Sequence, residues 1–215
     1  MAIKTRKISD WLSANGQAVT NASKATMEDA IRADIGQLYD GVFIVFHRKS
    51  DDFPLAVRVS SWASYQASGE IAEGVLLVEG GRHLVIAPTE LSSAKWSSKP
   101  ASSSDTSGSV QISGVTTTGA RITALNDFAG RANTTAIING STASNVTNTE
   151  DYAAGFCNRY SRTNANGKGM TAGKWWLPSI GEMAMIWSNF DKINYALSKI
   201  SDATQLQENW YWTST

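Results

Sequence analysis

Cysteine and histidine are almost missing from this 215-residue chain, which has one Cys157 and two histidines, His47 and His83. A lone cysteine excludes an intrachain disulfide, and three such residues are too few for a four-ligand Cys/His zinc site, so no metal is expected. Cys157 reads instead as a small buried apolar residue. Charge is scarce too: only 18% of residues are charged, and 19 Lys+Arg balance 19 Asp+Glu. That balance leaves no electrostatic footprint for nucleic acid or an anionic membrane surface. No segment approaches a membrane span. The N-terminal MAIKTRKISDWLSANGQ lacks the apolar run of a secretory signal, so the chain is expected to be made and kept in a cytoplasm or released by lysis. Also missing are a G-x-S-x-G elbow, a P-loop, an H-E-x-x-H pair and a dinucleotide fingerprint after a strand. His83 lies near Glu90, but beside a hairpin turn it reads as a surface residue. Asn-x-Ser/Thr sequons at Asn21, Asn133, Asn139 and Asn145 read as products of a Ser/Thr/Asn-rich composition.

What is present is enough for a core: 42% of residues are hydrophobic, in a length that suits one good-sized domain or two small ones. Abundant Ser, Thr, Asn and Gly lean toward the neutral polar surfaces of β-rich extracellular and virion proteins. Residues 1–25 read as extended or poorly ordered, with Ile3, Ile8, Trp11 and Leu12 as isolated apolar anchors. A helix is expected from Thr26, with Asp29 in its first turn and Ile31, Ile35 and Leu38 on one face before Gly41. That spacing fits an amphipathic helix packed on its own domain or a short heptad seam. Residues 41–49 and 54–62 are strand-like, and residues 74–88 place two apolar runs around Gly80-Gly81, a hairpin with both strands buried on both faces. Residues 92–120 form a Ser/Thr/Gly-rich connector with one strand-like run, SVQIS, and read either as a contact surface or as solvated loop. Helical periodicity returns over 122–138 and 150–161, the latter with Tyr152, Phe156, Cys157 and Tyr160 on one face.

The densest stretch is GKWWLPSIGEMAMIW, residues 173–187. Pro178 biases Leu177 toward extended geometry, so KWWL enters as an extended segment. Ser179 followed by Glu182 is an S-x-x-E capping box, which opens a helix and gives the glutamate a structural task rather than a catalytic one. Met183, Ile186, Trp187 and Phe190 should form that helix's inward face. A second helix, near Asp191, repeats the spacing at Ile193, Ala196, Leu197 and Ile200, and WYWTST reads as a closing strand. Trp175 and Trp176 point to opposite sides of the extended segment, so one belongs to the core and the other is free for a partner or a sugar ring.

Gly173, Trp176, Leu177, Pro178, Ser179 and Glu182, followed by two short helices and then Tyr211, Trp212, Thr213, Ser214 and Thr215, form a pattern with a known likeness. It resembles the C-type-lectin-like domain of bacterial surface and phage proteins, which show G-W-x-L-P-[ST]-x-x-E and then Y-W-[ST]-S-T. GRANT with Ala136 and Ile137, then Ala153, Ala154 and Cys157, is similar to the helical segment of versions from gut-bacterial phages and prophages. The resemblance covers about residues 70–215. It implies an α+β fold: a β-hairpin, helices and a small antiparallel sheet. Family chains continue past Y-W-[ST]-S-T into further strands, so this sequence is expected to be a fragment or to be completed by something else. Relatives of the fold include formylglycine-generating enzymes and phage tropism determinants. The oxidising branch needs reactive cysteines, and the calcium-binding lectins use Glu-Pro-Asn and Trp-Asn-Asp ligand sets that are not found here; no enzyme activity and no cofactor are expected.

The expected organisation is a docking or oligomerisation segment over 1–41, a strand-rich connector over 42–69 and the C-type-lectin-like domain over 70–215. The function implied is that of a virion structural protein, a head or tail fibre. It would be a homotrimer docked on capsid or tail proteins through residues 1–41, and would present Trp175, Trp176, Trp210 and Trp212 as candidate contacts to a host glycan or protein. The alternative is a cell-surface adhesin or fimbria-like protein whose leader has been removed.

Overall fold

The computed structural model describes residues 40–91, 94–97, 112–140 and 146–215. The helix expected from Thr26 and nearly all of the 1–41 docking segment lie outside these residues, as does most of SVQIS. The rest is an α+β fold with six helices and a small antiparallel sheet.

Alternating β-branched and aromatic residues build the sheet. Strands β1 (Gly41–His47), β2 (Pro54–Arg58), β3 (Gly74–Glu79) and β4 (Arg82–Ile86) pair in the order β2-β1-β3-β4, antiparallel throughout. Residues 42–69, assigned a connector's place from the sequence, thus supply two of the four strands, and β1 is central. The β3–β4 hairpin forms as expected. Gly80 and Gly81 take φ of 55° and 75°, the left-handed pair that a two-residue turn between Glu79 and Arg82 requires. β3 is buried on both faces, whereas the first two residues of β4 are exposed.

The strand expected over 54–62 stops at Arg58. A 3-10 turn (Val59–Ser61) leads into α1 (Trp62–Ala67). The cause is Trp62, whose indole is fully buried against Phe46 at 5.4 Å between ring centroids. Burying a ring of that size stabilises by about 2–3 kcal/mol, more than strand propensity at an edge offers. The helix expected over 122–138 is divided into α2 (Arg121–Leu125) and α3 (Gly130–Asn139). The break at 126–129 turns the Asp127 carbonyl away from helical pairing, where it accepts from Gly181 N–H and the Ser179 hydroxyl. Then come α4 (Ala153–Arg159), the short hairpin β5 (Arg162–Thr163) and β6 (Gly169–Met170), α5 (Ile180–Ser188) and α6 (Phe190–Leu197).

Two apolar clusters hold these elements. The larger joins Ile44, Phe46, Trp62, Val75, Leu77, Leu84 and Ile86 of the sheet side to Met185, Ile193, Ala196, Leu197 and Ile200. The expected inward stripe of α6 is therefore the stripe that packs on β1 and β3. The smaller cluster, Ile112, Ile137, Val146, Ala153, Ala154 and Leu177, joins α3 and α4 to the extended segment. A buried Glu73 ties the β5–β6 hairpin to the sheet, accepting from His47 N–H at 2.8 Å and Met170 N–H at 3.1 Å. Gly169 is required beside it: a Cβ there would stand 2.5 Å from the carboxyl group.

Among the described residues no helix is long and apolar enough to cross a membrane.

Candidate functional site

Residues 173–187 build two different environments on their two sides. On one side is a seam of buried polar groups. Gly173 turns the chain at φ 82°, and Trp175 to Pro178 then run extended into Ser179, the N-cap of α5. The capping box forms: Glu182 Oε2 accepts from Ser179 N–H at 2.9 Å and also from the Trp176 indole at 3.1 Å. Asp127 is the centre of the seam. Its side chain accepts from Ala129 N–H at 2.9 Å, the Asn133 amide at 3.0 Å and the Thr215 hydroxyl at 2.7 Å. Thr215 Oγ1 accepts in turn from Ile180 N–H, and Ser214 N–H donates to the Pro178 carbonyl at 2.8 Å. Thr134 Oγ1 accepts from Leu177 N–H at 3.0 Å. The two halves of the sequence motif are thus bonded to each other and to the α2–α3 break.

Asn133, read as one of several chance sequons, is buried within this seam. Two glycines make the seam possible. A Cβ on Gly181 would lie 2.3 Å from the Asp127 carbonyl oxygen, and one on Gly130 would lie 2.0 Å from Glu182 Oε2.

On the other side lies an apolar groove of about 480 Å³. Its floor is β4, its near wall Trp175, Trp176, Met183 and Ile186, and its far wall residues 206–212. Of Met183, Ile186 and Trp187, all expected to face the core, Ile186 packs on it half-buried, whereas Met183 and Trp187 line the groove. Glu182, only 4% exposed because the capping box and the Trp176 indole hold it inward, sets the rotation of α5. That rotation puts Met185 in the core, leaves Ile186 between core and groove, and turns Met183 and Trp187 to the groove, with Trp187 44% exposed. WYWTST is not a strand. It crosses the groove mouth as extended chain, held by Trp212 Nε1 donating to the Ala94 carbonyl and by the Thr213 carbonyl accepting from Trp96 Nε1.

The candidate tryptophans therefore have four different positions. Trp175 is buried, donating to the Met170 carbonyl at 2.8 Å and meeting Tyr160 edge-on at 5.1 Å. Trp176 is half-buried and locked to Glu182. Neither of the adjacent pair is a free platform. Trp212 is 52% exposed and Trp210 wholly exposed. Trp187 joins them at the rim, its ring 6.4 Å from that of Tyr211. The helical stripe in the sequence carried a signal for Trp187, but it pointed to the core.

Titratable groups at the groove are few. Tyr211 donates to Glu90 at 2.9 Å and accepts from Gln207 N–H; partial burial holds its phenol above the ordinary pKa. His83 is exposed on β4, and Glu90 bonds Tyr211. Burial pushes the Cys157 thiol up to about 12, so it carries no thiolate near neutral pH. Among the described residues no group of His, Cys, Asp and Glu is placed to hold a metal ion. Compared with family models, curated proteins and solved structures, the chain matches none of them.

Proposed function

We propose that this chain is a virion structural protein, a head or tail fibre of a phage, whose C-type-lectin-like domain presents a surface for host recognition. The observation that carries the reading is the division of labour around residues 173–187. The side chains of Ser179, Glu182 and Thr215 and the Ser214 N–H are taken up in bonds within the fold, while the rings of Trp187, Trp210 and Trp212 are exposed around one groove. Exposed indoles with free faces are the groups that stack on sugar rings or apolar protein surface. No chemistry is needed at such a site, and a thiol held protonated is poorly suited to the oxidase chemistry of the enzyme relatives.

Two measurements test it. Mass spectrometry of purified particles, induced from the strain that carries the gene, should detect this chain in stoichiometric amount; its absence from intact particles overturns the assignment. Light scattering of the full chain at micromolar concentration should give a trimer, and a monomer counts against fibre assembly.

A further inference from the structure

We propose that Asn166 is a site of spontaneous covalent modification: loss of its side-chain ammonia gives aspartate or isoaspartate and unlatches the β5–β6 hairpin from the turn between β1 and β2. Asn-Gly pairs stand at Asn15, Asn139 and Asn166, and the first lies outside the described residues. Such pairs react because glycine has no Cβ to shield its backbone nitrogen, which can close a five-membered ring on the asparagine side chain. The fold treats the other two differently. At the end of α3, Gly140 N–H donates to the Ala136 carbonyl at 2.8 Å, and a Cβ there would stand 2.9 Å from that oxygen and from Ile112 Cγ2. Asn166 and Gly167 lie exposed in the turn between β5 and β6, and nothing stands within 4 Å of the place a Gly167 Cβ would take. Water and the ring both have room there.

The closed turn holds the reaction off. Gly167 N–H donates to the Asn164 carbonyl at 3.0 Å, and the Asn166 amide gives both hydrogens away, to the Lys49 carbonyl at 2.8 Å and to Asp52 Oδ1 at 2.9 Å. Exposed turns open at little cost, and the reaction proceeds from the open form. The Gly167 nitrogen gives its proton to solvent and bonds to Asn166 Cγ. The bond from Cγ to the amide nitrogen breaks, and ammonia leaves with a proton from water. A second water then opens the ring at either carbonyl, leaving a carboxylate. The product cannot restore the latch, because its carboxylate has no hydrogen to give and faces two acceptors. One of them is charged: amides of Asn164 and Asn166 hold the Asp52 carboxyl below its ordinary range, so it is ionised near neutral pH. Lys168 acts on Asp52 with a positive charge, and Asp51 opposes it with a negative one. Neither apolar cluster includes a residue of the hairpin or its turn, so polar bonds such as this one hold it in place.

The proposal does not depend on the virion assignment, and either can fail alone. The full chain is aged in mildly alkaline buffer, folded and in urea, and peptide mapping by mass spectrometry follows Asn139 and Asn166. In urea the two should react alike; in the folded chain Asn166 should lead by about fivefold or more. The aged form, separated by ion exchange, and Asn166→Asp should both show amide hydrogen exchange about tenfold faster at Asn164 and Lys168, with β1 and β3 unchanged. Asp52→Asn combined with Asn166→Asp exchanges donor for acceptor across the same contact. Position 52, at φ 59°, suits asparagine, so this pair should return exchange to the level of the unaltered chain. If either variant does not fold, the aged chain still decides. Three results overturn the proposal: Asn139 reacting as fast as Asn166 in the folded chain; unchanged exchange at Asn164 and Lys168 in the aged form; or a folded double variant that exchanges as fast as Asn166→Asp alone.

Discussion

The seam and the groove share residues 173–187, yet they differ in nearly every physical respect. In the seam, most buried polar groups answer one another: Asp127 takes three donors on its side chain and two on its carbonyl, and the Ser214 hydroxyl is the buried exception. In the groove, large aromatic and aliphatic surface meets no comparable partner. A buried polar group left unanswered costs more than a hydrogen bond contributes, so the seam admits little variation. Exposed aromatic surface costs the fold little, and the groove is free to change with its partner. The seam is thus where substitutions should unfold the chain, and the groove where they should alter binding.

The sharpest way to break that contrast is Asp127→Ala, which strands three donors and should cost about 4 kcal/mol in urea unfolding. A cost near zero would mean that the seam does not hold the domain together. Gly181→Ala comes next. Its methyl would press on the Asp127 carbonyl, and overpacking against backbone should cost about 3 kcal/mol by the same measurement. Glu182→Ala removes the acceptor for Ser179 N–H and the Trp176 indole and should cost about 2 kcal/mol. It should also let α5 rotate, seen as a change in near-UV circular dichroism.

The cysteine probes the groove's inner wall. Because the folded thiol ionises at about 12 and an unfolded one near 9.0, only the unfolded state loses this proton in between. Stability should therefore be unaffected by Cys157 below pH 9 and fall above it, and Cys157→Ala should flatten that decline in unfolding followed from pH 8 to 11. The smallest stability effect belongs to Trp210→Ala. The indole touches solvent alone, so the change should stay within about 0.5 kcal/mol, and any loss in host-cell adsorption is then a binding effect.

Much of this contrast was legible from residue order, but not its orientation. The hairpin around Gly80-Gly81, the capping box at Ser179 and Glu182, and the α6 stripe of Ile193, Ala196 and Leu197 follow from local rules that act over a few residues. Three features did not. Trp62 reads as the end of a strand until Phe46 offers it a place in the core. Residues 122–138 read as one helix until Ser179 and Gly181 claim the Asp127 carbonyl. WYWTST alternates as a strand does, yet its bonds go to Ala94, Trp96, Pro178 and Asp127.

By itself the sequence determined the turn at Gly80-Gly81 and the place where an extended segment becomes α5, because positive φ and capping are settled between near neighbours. Only tertiary structure decided which face of α5 turns inward. The periodicity of Met183, Ile186, Trp187 and Phe190 marks an apolar stripe without saying what lies against it. Glu182, drawn inward to Ser179 and Trp176, put Met185 in the core and turned Met183 and Trp187 toward the groove.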